Sequence, residues 1–172
     1  MHGIYEGMPQ TISWSTALAS VDEPGTPMTI SGTIYQADGK TPAPDVILYV
    51  YHTDNKGHYS PAPGQKDAVR HGHLRGWMKT DASGRYQFRS IRPAGYPSRT
   101  APQHIHPLVK EKGRTLYWID EYFFDDDPLL RPEERAKHQK RGGDGLIHLS
   151  KNTKGEWEGH RDITLGLNVP NY

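Results

Sequence analysis

An all-β sandwich with long loops and one short helix is the fold that this 172-residue chain predicts. Three observations carry it. Strand-like runs arrive at short spacing, each is closed by Gly, Pro, Asn or Asp, and several alternate apolar with polar residues at period two. The first run is "MTISGTIYQ", followed by "ADGK", where Asp38 and Gly39 supply the local hydrogen bonds and positive φ of a tight turn. In "VILYVYHT", Val46, Leu48 and Val50 alternate toward a core. From His52 to His73 the chain is rich in Gly, Pro and His, and a loop of that length in a compact fold is commonly functional. "LRGWMKTD" and "GRYQFRSI" flank the turn "DASGR" as a hairpin, with Tyr86 and Phe88 on one face. "QHIHPLVK" and "TLYWIDEYFF" read as two further strands, and "HRDITLGL" as another near the end. Between them "RPEERAKHQKRGG" predicts the helix: Pro132 at a favoured first position, Glu133 and Glu134 early, basic residues late, Gly142 after them. It is polar throughout and is expected to lie on the surface without a chemical role.

Composition narrows the function classes. Net charge is +1, from 21 basic and 20 acidic residues, so the chain offers no electrostatic platform for nucleic acid or an anionic membrane. Cysteine is absent, which removes disulfides, thiolate nucleophiles and Cys-ligated metal clusters. Any bound metal must use imidazole, carboxylate or phenolate. No apolar run approaches the ~20 residues of a membrane span, and "MHGIYEGMPQ" lacks the features of a secretory leader. The expectation is a soluble chain, cytoplasmic or exported after removal of a leader. At this length a single domain buries roughly 70% of its unfolded surface, enough for a sizeable core.

The chemistry-bearing residues concentrate in "AGYPSRTAPQHIHPLVK". On a strand, His104 and His106 point to one face with α-carbons about 6.5–7 Å apart, so both imidazoles can reach one metal ion while Ile105 faces the core. A lone His-x-His pair also suits zinc, manganese or ferrous sites. Asp120, Glu121 and the run Asp125 to Asp127 are the carboxylates that could complete such a set. Tyr59, in "NKGHYS", and Tyr96, in "AGYPS", are the other candidates. A phenol ordinarily ionises near pH 10, so tyrosinate ligation calls for a hard, highly charged ion such as ferric iron.

With those residues in view, the chain resembles the intradiol ring-cleavage dioxygenase family over Met28 to Asp127, with a weaker echo in "WEGHRDITLGL". The likeness rests on "GTIYQADGKTPAPDVILYVYHTDNKGHY", "LRGWMKTDASGRYQFRSIRPAGYP" and "HIH", in family order. It implies a prealbumin- or immunoglobulin-like β-sandwich holding one Fe(3+) ion. Tyr59 and His104 match the equatorial ligands, and Tyr96 and His106 the axial ones, Tyr96 being the ligand that substrate displaces. It further implies a catechol-type substrate and O2 as partners, with cleavage to a muconate-type diacid, and is compatible with a homo-oligomer. Residues 1–27 form an N-terminal extension, and the expectation is a bare catalytic core without a helical dimerisation segment.

The chain departs from the family pattern in places. Ala101 stands where members usually place an arginine, leaving Arg99 as the nearest catalytic replacement and Arg75 as a second. The Tyr96 to His104 segment is abbreviated. The local register suggests Asp120 for a position that is glutamine in many members. His71 and His73 form a second pair, expected to be solvated or to line a pocket, and His52 and His58 flank Tyr59 as candidate supporting donors. The rival readings are a non-catalytic binding module of the same fold and a zinc or ferrous enzyme built on the same histidine pair.

Overall fold

The computed structural model describes residues 4–65 and 70–172. Its strands, numbered in chain order, form two mixed sheets packed face to face. One sheet contains β1 (Ser15–Ala17), β2 (Pro27–Tyr35), β5 (Arg85–Ile91), β10 (Ser150–Lys151), β11 (Trp157–His160) and β12 (Ile163–Thr164). Its order is β1-β5-β2-β11-β10, with β12 also pairing β2. The other contains β3 (Ile47–Tyr51), β4 (Arg75–Lys79), β6 (His104–Lys110), β7 (Tyr117–Trp118), β8 (Tyr122–Phe124) and β9 (Leu146–Ile147). That order is β4-β3-β6-β8-β9, with β7 also on β6.

The period-two patterns explain how the sheets meet. Met28, Ile30 and Ile34 of β2, with Tyr86 and Phe88 of β5, face Leu48 and Val50 of β3 and Ile105 and Val109 of β6 across one apolar core. Alternation along β6 therefore turns His104 and His106 to the outer face of their sheet. Burial on one face fixes the register, because a slip of one residue would put the imidazoles in the core and Ile105 in water.

Two elements differ from the sequence expectation. The run "TLYWIDEYFF" is not one strand but β7 and β8, joined by residues 119–121. On β6, Leu108 pairs with Trp118 and Ile105 with Tyr122, so three residues on one side oppose two on the other. This is the signature of a β-bulge, and it falls opposite Pro107, which has no N–H to give the ladder. The bulge buries Ile119 and Asp120 and leaves Glu121 opposite His106. The second difference is the helix. Only Pro132–Arg135 (α1) is helical, followed by turns through His138. Arg131 provides no side-chain cap and no residue of α1 is buried, so packing does not extend the helix beyond its costly first turn. Among the described residues no helix is long and apolar enough to cross a membrane.

Ile105 is fully buried between the two outward histidines. Ile105→Ala should lower unfolding free energy by about 2–5 kcal/mol, read as a reduced urea midpoint with little change in slope.

Candidate metal centre

Two loops and one strand build the centre. The first loop leaves β3 and folds on Asp54, whose carboxylate accepts from the Lys56 and His58 amides and from the Ser60 hydroxyl at 2.7–3.0 Å. Burial works against that carboxylate's charge, yet the three donors hold its pKa below the usual value. The second loop joins β5 to β6 and carries Tyr96. The loops are tied together where the Ala94 amide donates to the Asp54 carbonyl at 3.1 Å and the Thr53 hydroxyl donates to the Ala94 carbonyl at 2.8 Å. Gly57, at φ +83°, lies so close to Gly95 that a β-carbon there would sit 2.2 Å from the Gly95 carbonyl oxygen.

That stitching brings Tyr59, Tyr96, His104 and His106 into one closed ring of polar atoms. The Tyr59 and Tyr96 hydroxyls are 3.0 Å apart, and Tyr96 Oη is 3.0 Å from His104 Nε2. His104 Nε2 is 3.1 Å from His106 Nε2, which is 3.1 Å from Tyr59 Oη. Tyr59 thus stands across the ring from His104, and Tyr96 across from His106. His104 Nδ1 donates to the Pro102 carbonyl at 2.7 Å, leaving the Nε2 lone pair aimed at the ring.

The donor set suits a highly charged cation. Four atoms about 2.1 Å from a shared ion and about 90° from their neighbours would be about 3 Å apart, the spacing found here. Burial, and next the Tyr96 hydroxyl, hold the Tyr59 phenol well above its ordinary pKa. Burial, and next the His104 imidazole, push His106 down to about 3, so it is a neutral donor.

Other candidates fall outside the ring. Asp120 is buried by the bulge and accepts from the Lys140 amide at 2.7 Å, while Glu121 lies 3.7 Å from His106 Nδ1. Asp125 pairs with His148, Asp126 with Arg92, and Asp127 accepts from the Gln103 and Leu129 amides. Among the described residues no group of three or more His, Asp or Glu side chains converges for a metal; the ring joins two imidazoles to two phenols. Arg99 is exposed, on a left-handed turn whose amide donates to the Tyr96 carbonyl at 2.8 Å. Arg75 donates to the Glu6 carbonyl and lies over Trp77.

The second histidine pair and its neighbours support the walls. His71 stacks on Tyr51 at 3.8 Å, and Tyr51 stacks in turn on His106 at 4.6 Å. His73 is flanked by two acceptors, the Ser60 carbonyl and the Glu23 carboxylate. His52 is buried between the Thr53 carbonyl and Ser90 Oγ, pushed down to about 4 by burial, and touches no member of the ring; His58 is exposed. A cavity of about 330 Å³ opens beside Tyr96 and His104, with Phe123 and His138 stacked in its wall. The segment expected to form a surface helix contributes Glu134, Lys137 and His138 to the lining of this cavity. A larger concavity of about 600 Å³, lined by Arg89, Lys151 and Trp157 among others, lies on the opposite sheet and contains none of the ring residues.

A family model described as Dioxygenase matches residues 9–139. Catechol 1,2-dioxygenase 1 of Acinetobacter lwoffii is 28% identical over 188 residues, covering 84% of this chain and 58% of that protein. The protocatechuate 3,4-dioxygenase beta chain of Burkholderia cepacia is 28% identical over 113 residues, covering 62% and 48%. The chain spans about half the length of the curated relatives it matches. Among solved structures, the dioxygenase domain of a dioxygenase carbohydrate-binding protein fusion from Streptomyces sp. SirexAA-E aligns with a TM-score of 0.66 at 24% identity, covering 96% of this chain and 94% of that one. Catechol 1,2-dioxygenase of Acinetobacter radioresistens aligns with a TM-score of 0.70 at 17% identity, covering 92% and 58%. Both structures share the fold.

His73 ties the Tyr59 loop to the N-terminal segment in a pH-dependent way. Desolvation opposes its charge, but the Ser60 carbonyl and Glu23 carboxylate outweigh it and raise its pKa. The stability from this pair is complete below the ordinary imidazole value of 6.5 and is lost as pH rises through the raised folded-state value. Thermal midpoints should fall across that interval, and His73→Gln should flatten this part of the profile.

Proposed function

The chain belongs to the intradiol ring-cleavage dioxygenase family, and from that premise we propose that it holds Fe(3+) on Tyr59, Tyr96, His104 and His106 and cleaves a catechol-type ring with O2 to a muconate-type diacid. The observation that carries this reading is the closed ring of four donors. Its contacts join Tyr59 to Tyr96, Tyr96 to His104, His104 to His106 and His106 to Tyr59. Every member of the ring therefore touches two of the other residues that would hold the ion. The family's members are generally non-haem iron enzymes. A carboxylate-completed zinc or ferrous site is disfavoured, because Asp120 and Asp125 to Asp127 bind elsewhere and Glu121 approaches the wrong nitrogen of His106.

When bound, ferric iron supplies the Lewis acidity and electron-accepting character that ring cleavage by O2 requires. The residues around it supply position and proton handling. Pro102 fixes the His104 ring through Nδ1, and Tyr51, stacked on His106, shields that imidazole from water. Burial and the Tyr96 hydroxyl raise the Tyr59 pKa, so its conversion to phenolate depends on a strong cation. Tyr96 belongs to both the ring and the cavity wall, so as the phenolate that a bound cation would make of it, its Oη would be placed to take a proton from an entering catechol hydroxyl and return to phenol. Phe123 and His138 offer a flat aromatic wall to the substrate ring. Arg99, exposed and three residues beyond Tyr96 in the same loop, is the proposed cation for charge building on the substrate ring, outside the wall that faces the substituent.

Iron-loaded protein should be red to burgundy from phenolate-to-iron charge transfer. His104→Ala should lose bound iron, measured by elemental analysis, and Tyr96→Phe should shift the visible band. A colourless iron-loaded protein would refute the ligand set. Oxygen uptake should follow addition of catechol, protocatechuate or hydroxyquinol, and a coloured protein with no uptake would favour the binding-module reading. For the proposed cation, Arg99→Gln should lower kcat about 10-fold or more with iron content unchanged; an unaltered kcat would exclude Arg99 from catalysis.

A further inference from the structure

The cavity beside the ring carries an electrostatic bias that bears on substrate choice. Ala101, Pro102 and Phe123 make its apolar part, and its charged side chains are Glu121, Glu134 and Lys137. Lys137 Nζ bonds Glu134 Oε1 at 2.6 Å, so this pair cancels. Glu121 lies 3.7 Å from His106 Nδ1, and no Lys or Arg among the described residues pairs with it. The bulge in the β7 to β8 connection puts it there, since the β8 register that pairs Phe123 with His104 sets Glu121 opposite His106. Glu121 is therefore the carboxylate of the lining that no Lys or Arg among the described residues offsets.

Among the described residues the one Lys or Arg in the cavity lining, Lys137, is already paired with Glu134. Arg92 is held by Asp126 in a two-pronged contact and by Gln103, and lies over Phe124. Arg75 binds the Glu6 carbonyl, and neither Arg70 nor Arg99 belongs to the cavity wall. A carboxylate placed here would lose water and meet Glu121 without compensation, whereas an ammonium would gain a partner.

We propose that the cavity receives the ring substituent of the catechol and that Glu121 makes it select a cationic substituent over a neutral one and a neutral one over a carboxylate. The proposal rests on the catechol-binding reading above. A unit charge about 6 Å from Glu121, in surroundings intermediate between protein and water, corresponds to about a tenfold change in affinity for each step of charge.

Isothermal titration of the iron-loaded protein under anaerobic conditions, at neutral pH and low salt, tests it with dopamine, 4-methylcatechol and protocatechuate. Dopamine should bind tightest, and protocatechuate at least about tenfold more weakly than 4-methylcatechol. Because the three probes differ in intrinsic acidity, the decisive quantity is the dopamine-to-protocatechuate Kd ratio in Glu121→Gln relative to the parent. That isosteric change should shrink the preference at least about tenfold at equal iron content. An unchanged ratio, or protocatechuate binding as tightly as 4-methylcatechol, would overturn the role of Glu121 while leaving catechol binding intact. If none of the three binds, the catechol reading itself falls, and the selectivity with it.

Discussion

Gly57 approaches the Gly95 carbonyl with a backbone conformation and a separation that no side chain could share. Through that contact the loop bearing Tyr59 rests on the loop bearing Tyr96, and the Ala94 to Asp54 hydrogen bond holds them in register. The two phenols reach each other only because these loops touch. The histidines need no such device, being on adjacent same-face positions of a strand whose other face is buried. The centre therefore joins a rigid half supplied by the sheet to a half assembled by loop contact.

Charge gives the centre its chemical direction. Two half-buried phenols, with the Tyr59 pKa raised, and a neutral His106 form an environment that is poor for lone charges and suited to a cation able to displace phenolic protons. The nearby carboxylates do not compete. Asp125, Asp126 and Asp127 bind His148, Arg92 and backbone amides, and Asp120 binds the amide of Lys140. Each such bond holds a negative group out of the ring and leaves the donor set to nitrogen and phenolic oxygen.

The walls around the centre follow from an irregularity in the sheet. Pro107 has no ladder donor, and the opposing chain has one extra residue at that point. Asp120 is consequently buried beside Ile119, and Glu121 stands opposite His106. The short α1 and the turn after it then bring Glu134, Lys137 and His138 to the same cavity. An element with no apolar face, and so no evident reason for its place, becomes part of the wall beside Tyr96.

By itself, the sequence determined the sandwich and its outward histidines. Period-two burial and turn residues such as Asp38 and Gly84 act over a few positions, so they can be read locally. The family likeness also pointed to Tyr59 and Tyr96, but their convergence with His104 and His106 depends on contacts between segments some forty residues apart. Only the tertiary structure decided that the β7 to β8 run is broken, that Glu121 rather than Asp120 faces His106, and that the helix is one turn beside the cavity. A bulge and a loop-to-loop contact are set by what lies across the sheet or the gap, information that no single stretch of chain contains.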